Sequence, residues 1–440
     1  MAAVSAGRVI FFLYRGCGGM YDTGSPGEEA GPAEAHGASR DITQRRSAMA
    51  GPLDGMKILD FTYLLPGPFG TMMLADLGAD IIKVENPANP DLMRLVPPLV
   101  NGLSAAYAHV NRGKKSLALN LAVPGSADIV RRLVAEYDIV VEQFRPGVME
   151  KFGLGYRDLR AVNPRLIYCS LTGYGQDGAY ARRAGHDINY MALTGIESFS
   201  GTCDTGPVLG GVQIADLGGG SKNLCIAVMA AYIRRLATGE GDFCDVSITD
   251  GAFSLSVFQA AGFLAGAPEP ERECDILNGG SFYDFYRTAD GRYLSAGPIE
   301  PKFLVNFLKA LGMEGLLAGG ILSPEQAAGA KREVARAIAA RPLAHWIEVF
   351  RGTDACVEPV RTLGEAVANP PIADRGMVIT VPGEGGAEFR QIANPIRFDS
   401  GRCNAGFAGT ALGRHTGEVL AAAGYGAGDV ARLKEAGAVS

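Results

Sequence analysis

The chain has 440 residues, more than one ordinary hydrophobic core accommodates, so two domains are expected. Apolar residues make up 47% and charged residues 20%, as in globular proteins, and a net charge of −6 leaves no basic excess for nucleic-acid phosphates. The eight cysteines show no CxxC and the five histidines no HxxxH or HxH, which reads against a disulfide framework and a metal site and for a reducing, cytoplasmic setting.

Residues 1–48 differ in character from the rest of the chain. VIFFLY is too short for a signal-peptide core, and the Gly/Ala/Ser/Pro-rich stretch after it has no periodicity. A disordered extension, or an upstream start ahead of Met49, is expected there. No membrane span is expected, because the longest charge-free run, Gly251–Pro268, carries Gly, Ser and Gln and reads as a buried helix. Order begins at Lys57 with the strand KILDF, then an apolar helix around Phe69–Leu77 closed by Gly78, then the strand ADIIKVE. That is one βαβ unit. SLALNL (116–121), a helix over 126–137, DIVVE (138–142), a helix from PGVMEKFG and RLIYCSLT (165–172) continue the alternation. This pattern predicts a Rossmann-like, doubly wound parallel sheet. SKNLCIAVMAAYIRRLATG reads as a long helix ending at Gly239, and DVSIT (245–249) as another strand. Past 275 the pattern changes to an aromatic hairpin with an Asp290-Gly291 turn, ringed by helices near 302–311, 324–340 and 343–350. The expected organisation is a large α/β domain over 49–274, a smaller α+β domain over 275–370, and a segment, 371–440, with a final helix near 415–423 that returns to the large domain.

Two side chains stand out within 183–222. His186, in AGHDINYMALTG, precedes a helix; it is either a core histidine bonded to backbone or a base. Asp216 sits between apolar Ile214-Ala215 and Leu217, where an unpaired carboxylate is costly. It reads as the N-cap of a helix over 221–236, and such a position also gathers N–H donors able to hold an oxyanion. Gly218, Gly219 and Gly220 would admit a substrate close to the backbone, although neither GxGxxG nor GxxxxGK[ST] is present. Glu300, before Pro301, is a solvated helix-start residue unless the second domain closes over the first. His109, Arg112, Lys114 and Lys115, with Arg145 and Lys151 further on, are either a solvated face or a seat for a phosphorylated cofactor at the carboxyl edge of the sheet.

The segments LLPGPFGTMMLADLGADIIKVE, NRGKKSLALNL, EQFRPGVMEKFGLG, ADLGGG and GTDACVEPV together resemble the family III CoA-transferase superfamily. GHDINY and GPIEP narrow the likeness to its α-methylacyl-CoA racemase branch, because the transferase branch usually has an aromatic residue where His186 stands. The resemblance runs from about Leu53 to Val360 and implies a cofactor-independent isomerase of fatty-acid metabolism. Its substrate would be a 2-methyl-branched acyl-CoA thioester, coenzyme A being part of the substrate. It implies His186 and Asp216 as the acid/base pair, Glu300 as support for the histidine, and Arg112, Arg145 and Lys151 on CoA-binding segments. It also implies an interlocked homodimer in which Glu300 can come from the partner subunit, with neither nucleic acid nor membrane as partner. Asn86 departs from the pattern, since some racemases carry an arginine there. The rival chemistry within the superfamily is CoA transfer between an acyl-CoA and a carboxylate, with Asp216 as nucleophile.

Overall fold

The structure is a computed structural model and describes residues 51–317, 324–399, 401 and 403–440; the expectation for residues 1–48 lies outside them. In chain order the principal elements of the first part are β1 (Lys57–Phe61), α1 (Pro66–Asp76), β2 (Asp80–Glu85), α2 (Ala105–Val110), β3 (Lys114–Ala118), α3 (Ser126–Leu133), β4 (Ile139–Glu142), α4 (Val148–Lys151), α5 (Tyr156–Val162) and β5 (Ile167–Thr172). Then come α6 (Asp187–Leu193), α7 (Lys222–Thr238), β6 (Asp242–Ser247), α8 (Ile248–Ser254) and α9 (Val257–Leu264). The six strands form one sheet in the order β3-β2-β1-β4-β5-β6, and every pairing is parallel. This is the doubly wound α/β order expected from the alternating pattern.

The strands earn their place by being apolar on both faces. Ile58, Ile81, Ile139, Val141 and Ile167 enter one core with Leu224 and Val228 of α7. Their neighbours Leu59, Ile82, Val140 and Tyr168 point to the opposite core with Ile129 and Leu133 of α3. Alternate side chains of a strand face opposite ways, so a sheet covered on both sides needs a nearly continuous apolar run.

Chain connectivity reverses between β1 and β4: β2 and β3 lie to one side of β1, and β4, β5 and β6 to the other. The loops leaving β1 and β4 therefore diverge and open a crevice at the carboxyl edge. Buried charges hold that edge. Asp60 accepts hydrogen bonds from the Thr62 amide (2.9 Å) and the Thr71 hydroxyl (2.6 Å), and Lys114 Nζ lies 3.1 Å from it. Lys114 also donates to the Pro68 carbonyl (2.9 Å) and Asn111 (3.0 Å). Lys83 donates to the Thr62 carbonyl (2.6 Å) and lies 3.4 Å from Asp91, which in turn accepts from the Leu64 amide at 3.1 Å. Leu64 has φ of 60°, a left-handed conformation that a branched residue adopts only when its surroundings impose it.

The chain divides into two compact units. The smaller contains residues 265–269 and 274–358, and the larger takes 51–264, 270–273 and 359–440. The smaller unit thus ends at Glu358, short of the expected boundary at 370. Here β7 (Asp284–Arg287) and β8 (Tyr293–Ala296) make the antiparallel hairpin, β9 (Val357–Pro359) adds to β8, and α10 (Pro301–Ala310), α11 (Pro324–Ala339) and α12 (Leu343–Phe350) supply the helices. Phe307, Trp346, Phe350 and Leu294 share its core. In the larger unit β10 (Val378–Pro382) pairs antiparallel with β11 (Glu388–Ile392), and α13 (Thr416–Ala422) packs Val419 and Leu420 into the α3 side of the sheet. A last helix, α14 (Ala427–Glu435), had no expected counterpart, since its small residues carry little apolar periodicity. The run 251–268 is not one buried helix: α8 and α9 split it, and α9 leaves Val257 (69%) and Leu264 (77%) exposed.

Removing one partner of a buried ion pair strands the other charge. Lys114→Met, which removes the charge bonded to Asp60 and leaves it Lys83 and the threonine hydroxyls, is expected to lower unfolding stability by about 3 kcal/mol in urea titrations. A loss below about 1 kcal/mol would show that the carboxyl edge does not rest on this pair.

Candidate active site

A pocket of about 360 Å³ lies in the crevice. Its walls are the loop after β1 (Tyr63–Pro66), the loop after β4 (Gln143–Pro146), the end of β5, the segment leading into α6, and Asp216. A second pocket of about 450 Å³ shares Tyr63, Leu64 and Phe144 with it and spreads over the ends of β2 and β3. The strained Leu64 loop is the wall between them.

His186 is the N-cap of α6, held extended (φ −127°, ψ 172°), and its amide donates to Asn189 Oδ1 at 3.0 Å. Its imidazole is exposed at the pocket wall, with no hydrogen-bond partner among the described residues. Of its two readings, the backbone-bonded core histidine falls away.

Asp216 stands in a π-helical segment, Ala215–Ser221, that runs directly into α7, so it does not cap a helix beginning at 221. Its amide donates to Asp187 Oδ1 (3.0 Å) and the Leu217 amide to the Gln213 carbonyl (3.0 Å), so neither N–H is left for an oxyanion. Ser221 fastens the turn by donating to the carbonyls of Pro66 (2.6 Å) and Asp216 (3.0 Å). π-Helical turns are rare and concentrate at functional sites. Gly219 has a packing purpose: a Cβ there would come 2.6 Å from the Ala252 amide of α8, and one on Gly251 would come 2.1 Å from the Gly219 carbonyl. At Gly219 two backbones touch where a substrate was expected.

The carboxyl of Asp216 is pushed up to about 6, first by burial and then by the negative charge of Asp187, with the charge of His186 opposing. A second raised acid escapes the sequence reading. Glu142, the last residue of β4, is buried and pushed up to about 7 by loss of solvent, against hydrogen bonds from the Ser170 hydroxyl and the Phe144 amide (2.7 Å). A DIVVE strand ending on a carboxylate at the sheet's carboxyl edge is the available signal. Tyr190, which donates to the Gly185 carbonyl (2.7 Å), and Arg183, stacked 4.3 Å over Tyr180, also line the pocket unforeseen.

The basic residues divide. Arg112 cannot seat a cofactor, contrary to expectation. Its side chain is fully buried, grips Asp76 through two bonds (2.8 and 2.6 Å), and donates to Gln391 (3.1 Å) and the Ile392 carbonyl (2.8 Å). Lys114 is spent on Asp60, and burial brings His109 down to about 4, with the Arg112 charge adding to the effect. Arg145 is exposed and lines the pocket with His186 and Asp216. Lys151, exposed at the end of the single-turn α4, lines neither pocket. Glu300 is the N-cap of α10 in the smaller unit. Among the described residues no group of three His, Cys, Asp or Glu side chains could hold a metal ion, and no helix is long and apolar enough to cross a membrane.

A parallel six-stranded sheet whose crevice presents a histidine beside a raised aspartate defines a class, and comparison with known proteins names it. Residues 53–416 match the model of CoA-transferase family III, and the chain belongs to that family. It is 38% identical over 330 residues to the human "Alpha-methylacyl-CoA racemase", covering 74% of this chain and 82% of that protein. To the "Succinate--glutarate CoA-transferase" of Agrobacterium fabrum it is 33% identical over 388 residues, covering 84% and 95%. A CAIB/BAIF family protein from Brucella suis, known from its crystal structure, superimposes with a TM-score of 0.74 at 30% identity, covering 85% of this chain and all of that one.

A raised carboxyl opposes folding where it must ionise. The unfolded chain releases the Asp216 proton near pH 4 and the folded one near 6, so stability falls as pH rises through that window and stays lower above it. Asp216→Asn is therefore expected to stabilise the protein at pH 7 by about 1–2 kcal/mol, after discounting for partial exposure, and by much less at pH 4. Urea titrations at the two pH values test this; equal gains at both would exclude the ionisation cost.

Proposed function

We propose that the protein racemises or epimerises C2 of 2-methyl-branched acyl-CoA thioesters by proton transfer through an enolate. The observation that carries this is the pairing of a free His186 imidazole and an Asp216 raised to about 6 on the wall of one pocket. Inverting a carbon next to a thioester requires a proton taken from one face and another delivered to the opposite face. In one direction neutral His186 removes the C2 proton while protonated Asp216 gives its proton to the other face; in reverse the roles exchange. A carboxyl raised toward neutrality can both hold and release a proton, which suits an exchange that must run both ways. An ordinary aspartate would almost never hold a proton to give at pH 7.

Coenzyme A belongs to the substrate in this reading, and no separate cofactor takes part. The thioester would lie in the smaller pocket, whose wall carries the exposed cation Arg145, and the arm of the coenzyme would extend along the adjoining larger one. A homodimer is part of the proposal. Ile226, Ile233 and Leu236 of α7 and Val257 and Leu264 of α9 are more than half exposed, and a second copy is the proposed cover.

The second reading is transfer of CoA between an acyl-CoA and a carboxylic acid, with Asp216 as nucleophile. It is favoured by transferase relatives that match a larger share of the chain. Incubation in D2O separates the two. The racemase must place deuterium at C2 of a 2-methylacyl-CoA with no acceptor acid present, and His186→Ala should lower that rate at least about 100-fold for the enantiomer whose proton His186 removes. Acceptor-dependent CoA transfer without C2 exchange would reject the proposal.

A further inference from the structure

Asp187 joins the two halves of the site. It is the first residue of α6, immediately after the capping His186, so the same helix start that presents the imidazole also aims this carboxylate. Its Oδ1 accepts the amide hydrogen of Asp216 at 3.0 Å, across 29 residues of chain. The bond falls at the second residue of the π-helical turn, where the backbone has left the regular helical ladder. Among the described residues no other side chain accepts from the Asp216 amide, and Ser221 secures only the Asp216 carbonyl.

We infer that Asp187 is a positioning residue for Asp216, holding the peptide that bears the acid at a fixed place opposite His186 and setting a like charge beside its carboxyl. The inference rests on the proton-transfer reading of the site. Its physical logic has two parts. The hydrogen bond fixes the backbone from which the acid projects, and a displacement of an ångström in such a group is costly to rate. The neighbouring negative charge favours the protonated form, the one able to donate. Other charged or titratable groups nearby belong to defined walls. His186 precedes α6, Tyr190 lies on it, and Arg145 and Arg183 line the same pocket. Lys222 begins α7, and Asp250 lies on α8, which crosses the turn. Of these, His186 acts against the effect of Asp187 on the acid.

Asp187→Asn separates the two parts, because its amide oxygen can still accept from the Asp216 N–H while the charge is gone. The probe is C2 deuterium exchange into a 2-methylacyl-CoA, measured from pH 5 to 9 on the full chain, with KM and thermal midpoint recorded alongside. The expected result is an unchanged KM and midpoint with the Asp216-dependent limb of the profile moved to lower pH by about one unit. Exchange that requires protonated Asp216 should then fall about tenfold at pH 7. Asp187→Glu, which keeps the charge, should leave the limb in place, and Asp187→Ser removes the charge with less bulk if the asparagine variant does not fold. A neutral variant that folds and whose profile superimposes on that of the unaltered protein overturns the inference. Absence of exchange in the unaltered protein at every pH would instead reject the proton-transfer reading itself.

Discussion

The buried charges at the carboxyl edge of the sheet are the constraint on which the rest depends. Asp60, Lys114, Lys83 and Asp91 have almost no solvent contact, and each is balanced by another charge and by backbone. Burial alone would raise the Asp60 carboxyl, but Lys114 and Lys83 together with the two threonine hydroxyls bring it to about 2. Lys114 is brought down to about 8 because burial outweighs its attraction to Asp60. Such a group of charges is a poor source of net stability compared with packed hydrocarbon, but it is unforgiving of rearrangement. Its yield is geometric. It pins the Thr62 carbonyl and the Leu64 amide and so imposes the left-handed Leu64 that divides the two pockets.

From that fixed edge the site is assembled by two short helical devices. The capped start of α6 presents His186 outward and Asp187 inward. The π-helical turn before α7 carries Asp216 to the same pocket, and the close Gly219–Gly251 contact sets how near α8 can approach. The resulting acid is half-desolvated and faces one charge of each sign. That arrangement costs folding energy and yields a carboxyl that titrates close to neutrality.

The parallel sheet was legible because buried strands are apolar on both faces: KILDF, ADIIKVE, DIVVE and RLIYCSLT are unmistakable as runs separated by helical periods. The end of the smaller unit and helix α14 were less so, since small and polar residues leave weak periodicity. Within the site, His186 and Asp216 could be picked out because polar side chains in apolar surroundings need a reason. Arg112 misled for the complementary reason. A run of basic residues looks alike whether it meets phosphate or is buried against Asp76, and that partner lies thirty-six residues upstream (112 − 76) with Gln391 far downstream. Gly219 misled too, since a close backbone approach is equally useful for a ligand and for a crossing helix. The π-helical turn has no local signature at all: it depends on what Asp187, Pro66 and Ser221 hold in place.

The central claim is that His186 and Asp216 serve opposite faces of one carbon, and stereospecific exchange tests it most directly. Each enantiomer of a 2-methylacyl-CoA is incubated separately in D2O with His186→Ala and with Asp216→Asn, and deuterium at C2 is followed in the starting enantiomer. The account predicts complementary behaviour: each variant loses exchange from the enantiomer whose proton its missing group removes and retains a measurable rate from the other. Loss of both rates in the Asp216 variant, with none lost in the His186 variant, would contradict it and return the chemistry to Asp216 alone.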